Sequence, residues 1–293
     1  MFLAIRDFTV KWIGYENVYA GLKDLGLKSF ELYMDRELKG AKYRDMGEEV
    51  PLGFDLSTSE KRRELSEQLG QEGLTVCAIL VENDFARTDL KSEIDWIVRT
   101  SEVAPQIGCD TVRINPPMRI QEGISEGQYL DITIDCCREI LERTKTTGVS
   151  LAMENHGVMG NRFEFLRGVL ESIGSERMGL NLDTGNFYWF GYPLGRVYEI
   201  IEYFAGKAKH THIKNLKFAE QKRNSFRKPG EDWPSSGATI YEGDIDHRKV
   251  LNWLRQAGYE RDLTLEDESL GRFDVKERIG IVKEDLRFLR GLI

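Results

Sequence analysis

The chain is poor in the residues that usually announce a specialised scaffold. It has four cysteines among 293 residues, Cys77, Cys109, Cys136 and Cys137, with no CxxC pair and no metal-knuckle spacing. A disulfide framework and a thioredoxin-type redox motif are therefore excluded as organising features. The adjacent pair falls in a segment of helical periodicity, and all four are expected to be reduced, buried thiols. Prolines number only 7, and no low-complexity tract occurs, so nothing marks a disordered linker. No apolar run reaches membrane-spanning length, and the opening MFLAIRDFTVKW lacks the apolar core and cleavage site of a secretory signal. The expectation is a cytoplasmic protein with no membrane partner. Positive charge is in deficit too: 41 Lys and Arg face 49 Asp and Glu, a formal net charge of -8. That field repels phosphate-rich polymers, so nucleic acid is not an expected partner.

What remains is an ordinary globular composition, 41% hydrophobic and 31% charged, of a length that suits one domain over residues 1–293. Short β-branched or apolar runs alternate with longer segments of helical period. Strands are predicted at 2–5, 29–33, 75–80, 111–114, 150–153, 178–182, 208–213 and 262–265. Helices are predicted at 17–25, 59–71, 93–107, 129–146, 162–173, 196–204, 248–257 and 276–289. Eight such units with right-handed crossovers close into a (β/α)8 TIM barrel. An open doubly wound sheet is the alternative, disfavoured because no Gly-rich phosphate fingerprint follows any strand. One stretch, 216–245, lacks periodicity and lies between strand seven and its helix. An extended loop there would sit over the C-terminal mouth, and a substrate-covering flap is expected.

The later strands, read with a period of two, sort their side chains by chemistry. Leu151 and Met153, Leu180 and Leu182, Thr211 and Ile213, and Leu263 and Leu265 share one register. The opposite register holds Ala152 and Glu154; Asn181 and Asp183; His210, His212 and Lys214; and Thr264, Glu266 and Glu268. Several carboxylates and an imidazole converging in one barrel mouth would repel strongly unless a cation held them. Three carboxylates and one His form a hard donor set that suits Mn2+, Mg2+ or Co2+ and tolerates Zn2+. The spacing agrees: Glu154 to Asp183 and Asp183 to His212 are both 29 residues, about one βαβ repeat. His212 to Glu266 is 54, longer by roughly the loop after strand seven.

In the stretches LAMENHG, GLNLDTGN, HTHIKN, YEGDID and LTLEDES, taken in order, the chain resembles the xylose isomerase-like TIM barrel superfamily of sugar phosphate isomerases and epimerases. The resemblance implies that Glu154, Asp183, His212 and Glu266 bind one divalent metal ion, with Glu154 and Glu266 acting also as catalytic acid and base. By the same resemblance His156 and Lys214 are substrate contacts. Two departures matter. Asn186 stands where family epimerases commonly carry a His, and Asn215 replaces the Asp that usually ends strand seven. Glu268 is an alternative strand-eight ligand to Glu266.

Asn186, Arg113 and Asn115 are further candidates for substrate binding, with Asn83 and Glu31 as weaker ones. The bland readings are that Glu154 and Asp183 cap helices or pair with Arg, that His210 is a core histidine hydrogen-bonded beneath the site, and that His247 is a surface residue at a helix start. The cluster Phe187, Tyr188, Trp189 and Phe190 is read as core or interface packing. The basic residues Lys217, Lys222, Arg223, Arg227 and Lys228 are read as a solvated loop. The expected function is a metal-dependent sugar isomerase or epimerase that moves a proton next to a carbonyl through an enediolate. An inosose-type dehydratase or related lyase is the rival, favoured by the ENHG stretch and Asn186. A non-catalytic sugar-binding barrel or partner-dependent subunit is the alternative of another class. The expected partner is a small sugar or cyclitol, with homo-oligomerisation left open.

Overall fold

A computed structural model describes residues 1–40, 42–45 and 48–293. Eight parallel strands close a barrel: β1 (Phe2–Arg6), β2 (Ser29–Tyr33), β3 (Thr75–Leu80), β4 (Thr111–Ile114), β5 (Ser150–Glu154), β6 (Met178–Asp183), β7 (Ala208–Ile213) and β8 (Asp262–Leu265). Each pairs with its sequence neighbours, and β8 pairs with β1 to complete the ring. Outside lie eight main helices: α1 (Val18–Leu25), α2 (Ser59–Glu72), α3 (Leu90–Val103), α4 (Glu126–Arg143), α5 (Phe163–Ile173), α6 (Leu194–Phe204), α7 (His247–Gln256) and α8 (Val275–Arg290).

The inward and outward registers of β5 to β8 are as the period-two pattern predicts. Leu151, Met153, Leu180, Leu182, Ile213, Leu263 and Leu265 are fully buried between sheet and helices. The four cysteines are buried free thiols. No helix among the described residues is long and apolar enough to cross a membrane.

The helices begin where side-chain caps start them. Asp89 caps the Ser92 amide of α3, while Ser125 and Gln128 form a reciprocal box on α4, so both start three residues ahead of the predicted spans. His247 does open a helix, but it is buried rather than on the surface. It belongs to the inward stripe His247, Val250, Leu251 and Leu254, spaced as one helical face. Burial pushes its pKa down to about 4, which keeps the ring neutral.

Two loops elaborate the mouth. The one after β2 carries two small antiparallel ladders, Lys39–Gly40 with Phe54–Asp55 and Tyr43–Asp45 with Glu48–Val50. The one after β7 contains a helix, Glu220–Arg223, and a ladder between Asn215–Leu216 and Gly237–Ala238. It docks on the short helix Asn186–Phe190. The Arg227 guanidinium lies 3.6 Å from the Phe218 ring centre and 4.4 Å from that of Tyr188, and Arg227 N donates to Gly191 O at 2.9 Å. Gly191, at φ +110, leaves no room for a side chain, since a Cβ there would stand 2.2 Å from Arg227 O. Lys222 pairs with Glu231 and Asp232, and Arg223 with Asp244. Lys222 and Arg223 are thus paired within the loop and Arg227 against the helix beside it, which gives the loop an internal structure of its own.

Candidate metal centre

The C-terminal ends of β5 to β8 deliver the four predicted ligands to one place. Glu154 and Asp183 are the last residues of their strands, His212 is the penultimate residue of β7, and Glu266 directly follows β8. Neighbouring side chains do the work of further backbone pairing where the ladders stop. Asn155 accepts from Asp183 N at 2.8 Å and donates to Asp183 O at 2.9 Å. Thr184 Oγ1 donates to Lys214 O at 2.7 Å and accepts from Lys214 N at 2.9 Å. Asn83 makes the same two-way bond with the Asn115 backbone, which makes Asn83 a strand clamp rather than a ligand contact. Asn215 accepts from Ile245 N and donates to Ile240 O and Ile245 O. It thereby ties the base of the long loop in a way the acceptor-only Asp expected there could not.

Each ligand candidate spends one atom on the protein and turns the other inward. Asp183 Oδ1 accepts from the Gly185 and Asn186 amides, both at 2.8 Å. Glu154 Oε1 accepts from Asn186 Nδ2 at 3.0 Å, and Glu266 Oε1 is held by Arg6 Nη1. His212 Nε2 bonds to Glu31 Oε1 at 3.1 Å. Left over are Glu154 Oε2, Asp183 Oδ2, His212 Nδ1 and Glu266 Oε2, buried and without a hydrogen-bond partner. One donor atom from each of the four residues lies within 4.8 Å of every other. Arg113, Lys214 and His212 give these atoms ion-pair contacts but no well-aligned hydrogen bond, and three oxygens with one nitrogen converging in a buried mouth fit a divalent cation of the harder first-row kind.

Positive charge surrounds the cluster. Arg113 pairs with Glu154 Oε2, and Lys214 Nζ lies 3.0 Å from Asp183, 3.1 Å from Glu266 and 3.0 Å from Glu268. Burial alone would raise the Glu154 and Glu266 carboxyls; Arg113 beside the first, Lys214 and Arg6 beside the second, and His212 beside both hold them well below the usual range. At Asp183 burial wins, and the pKa rises to about 7 despite Lys214. His212 is held protonated by Glu266, Glu31 and Glu154 in spite of burial, so a cation taking its Nδ1 must displace a proton.

The remaining candidates divide. Asn186 lies inside the cluster, touching Glu154 and, at 3.3 Å, Lys214 Nζ. His156 Nδ1 sits 3.1 Å from Asn115 Oδ1 and 3.4 Å from Arg113 Nη2, and burial lowers its pKa to about 4. Glu268 contacts Lys214 and stands outside the four-atom group. His210 is the core histidine expected beneath the site, 3.0 Å from Glu31 and 2.7 Å from Asp262. Phe187 and Tyr188 are core. Glu31 is far more central than its sequence suggested, since its Oε1 serves both His210 and His212. Arg6 and Tyr43 were not foreseen. Arg6 occupies the inward register of β1, two residues after the buried Ala4, and the same period-two test picks it out.

A closed parallel eight-stranded barrel with this mouth defines a class, and sequence comparison agrees: the profile of the xylose isomerase-like TIM barrel family matches residues 20–292, and the chain belongs to that family. Among solved structures it is similar to the IolI protein with a bound zinc atom, at TM-score 0.73 and 16% identity over 100% of this chain and 98% of that one. It is also similar to L-ribulose 3-epimerase, at TM-score 0.68 and 18% identity over 99% and 94%. Mannonate dehydratase from Streptococcus suis serotype 2 gives TM-score 0.68 and 14% identity over 100% and 93%. These identities speak for the fold alone. An uncharacterized protein of Methanocaldococcus jannaschii is 25% identical over 206 residues, 68% of this chain, and the chain spans 64% of that relative's length.

Proposed function

We propose that this chain is a divalent-metal-dependent enzyme that isomerises or epimerises a sugar or sugar derivative by moving a proton on a carbon next to a carbonyl. The observation that carries this reading is the convergence of four buried ligand-type side chains, Glu154, Asp183, His212 and Glu266, each offering one donor atom within 4.8 Å of the others. Mn2+, Mg2+ or Co2+ suits that set, and Zn2+, the ion named with the IolI protein, is tolerated by it. When bound, the ion would stabilise negative charge developing on the substrate's carbonyl oxygen.

The chain's own groups do the rest. Glu154 and Glu266 are held ionised by the cations beside them, so either can take the carbon-bound proton; an isomerisation returns it from that carboxyl to the neighbouring carbon, and an epimerisation delivers a proton from the opposite carboxyl in its protonated form. His156, neutral at physiological pH, and Lys214, Asn186, Arg113 and Asn115 steady substrate oxygens. Lys214 is held charged by Asp183, Glu266 and Glu268, so it orients oxygens rather than giving up a proton.

A dehydratase is the second reading. It is favoured by Asn186 in place of the family histidine, an amide that donates to Glu154 at 3.0 Å and cannot act as an imidazole would. Metal analysis of the purified protein, followed by a ketose, inosose and sugar-acid panel with solvent deuterium exchange read by NMR, tests both. Deuterium entering unreacted or epimerised ketose supports the first reading, loss of water with an upfield methylene signal supports the second, and a protein that takes up no divalent ion overturns both.

A further inference from the structure

The loop after β2 reaches into the metal centre through a route separate from the four ligands. Arg6, the last residue of β1, is 4% exposed. Its Nη1 holds Glu266 Oε1, its Nε lies 3.3 Å from Glu31 Oε2, and its Nη2 donates to Tyr43 Oη at 2.8 Å. Tyr43, buried on the Tyr43–Asp45 strand, donates its own hydroxyl proton to Glu82 at 3.0 Å. The Arg6 guanidinium also lies against the rings of Tyr43 and Phe8, at 5.2 and 5.7 Å, and those two rings meet edge to face at 4.9 Å. Aromatic carbon thus screens the cation from water, and weak screening strengthens its hold on its carboxylates.

The consequence is geometric. A guanidinium is a planar fork with fixed donor directions, so fixing one arm fixes the others. Glu31, at one arm, also fixes the His212 ring through Nε2. Glu266, at another, has only Oε2 left to present. Arg6 therefore couples two of the four candidate ligands, and Tyr43 sets the tilt of Arg6.

We propose that Tyr43 is a positioning residue for the metal centre, its hydroxyl locking the Arg6 fork so that Glu266 and His212 present one donor each at fixed angles. This rests on the metal reading given above, and its test is arranged so that the two can fail separately. The probes are Mn2+ and Co2+ added to the metal-free full chain. Tyr43→Phe removes one oxygen and keeps the ring. It should weaken Mn2+ binding about 10- to 100-fold, as losses of groups that orient metal ligands do, and shift the visible absorption of the Co2+ form. Tyr198→Phe, which loses a hydroxyl bonded to Asp246 N and Asp244 O rather than to any of the four candidate ligands, should lower thermal stability comparably and leave Mn2+ affinity unchanged. Glu82→Gln, which keeps an acceptor for Tyr43, should retain most of the affinity. Glu82→Ala, at an exposed position where folding is not at risk, should lose affinity in the direction of Tyr43→Phe.

Wild-type Mn2+ affinity and an unshifted Co2+ spectrum in Tyr43→Phe, with Asp183→Asn unable to bind, overturn the positioning role and leave the metal reading standing. Wild-type affinity in Asp183→Asn as well overturns the metal reading. Should Tyr43→Phe not fold, unchanged affinity in Glu82→Ala overturns the positioning role.

Discussion

Where β5 to β8 end, the inward residues are Glu154, Asp183, His212 and Glu266; the ends of β1 and β4 and the middle of β2 supply Arg6, Arg113 and Glu31. The second half of the barrel offers donor atoms and the first half holds them. Arg113 reaches Glu154, Arg6 reaches Glu266, and Glu31 reaches His212. The difference shows how a barrel affords a buried acidic cluster: carboxylates that repel one another are steadied by cations on the adjoining strands β1 and β4 and by Lys214 just after β7, in a medium that screens little. The two halves should therefore fail differently. Damage to the donor half should abolish ion binding with the fold intact, and damage to the holding half should unsettle the fold first.

The largest effect is expected in the donor half. Asp183 already has its pKa raised to about 7, so Asp183→Asn replaces a carboxyl that the fold ionises reluctantly. Thermal unfolding of the metal-free protein should be unchanged or moved upward, while isothermal titration should find no Mn2+ binding. Turnover on whichever sugar the panel identifies should fall about 10²- to 10⁴-fold. A variant that binds Mn2+ normally would remove Asp183 from the donor set.

The next effect belongs to the holding half. Arg113 is 3% exposed, and Arg113→Met leaves the Glu154 carboxylate buried without its cation, a loss of about 3–5 kcal/mol by analogy with broken buried pairs. Denaturant titration measures it. Adding Glu154→Gln in the same chain should restore much of that stability, because the orphaned charge is gone. If the double variant is no more stable than the single, the pair is not what holds this wall together.

Asp7 sharpens the contrast, because the holding half contains a carboxyl whose ionisation burial opposes. Asp7 is buried at the start of the Asp7–Trp12 helix, accepting from Phe8 N at 2.6 Å and Tyr33 N at 3.1 Å. Burial raises its pKa to about 7, against an unperturbed 3.8. A folded pKa above the unfolded one means that its stabilising contribution is complete below pH 4 and disappears as pH rises through 7. Wild type should therefore weaken between pH 4 and pH 8 by up to roughly 4 kcal/mol relative to Asp7→Asn. The substitution adds a pH-independent cost for one lost acceptor. Parallel stability curves for the two proteins, recorded by urea unfolding, would show that Asp7 ionises freely.

The sequence made the donor half far more legible than the holding half. All eight strands lie where hydrophobic runs predict them, yet β1, β5 and β6 each extend one residue beyond the predicted end, to Arg6, Glu154 and Asp183. The apolar pattern stops at a polar residue while the backbone ladder continues, so a hydrophobicity reading ends each strand just short of its functional side chain. Acidic residues at inward positions still betrayed themselves, because burying several of them calls for a cation. A lone inward arginine sends no such signal by its charge, and only its place in the period-two register marks it. Tyr43 was illegible for another reason: it is 37 residues from Arg6 and lies in a stretch without periodicity, so only the folded chain brings the two together. His247 misled because polar type outweighed its place on an inward helical stripe.

The smallest stability effect is expected at Phe226 in the loop after β7, and it bears on whether that loop covers substrate. Its neighbour Arg227 is packed against Phe218 and Tyr188, which fixes this part of the loop to the helix that begins with Asn186. Phe226 itself is 74% exposed and approaches Tyr192 only at 6.2 Å between ring centres. Phe226→Ser should therefore change unfolding free energy by less than about 0.5 kcal/mol, as exposed positions do. If the loop closes over bound sugar, an apolar side chain that far into solvent gains its burial only in the complex, and its loss should raise KM severalfold while kcat holds. Unchanged KM would make the loop a fixed wall, and substrate enclosure would then fall to the Tyr43 side of the mouth.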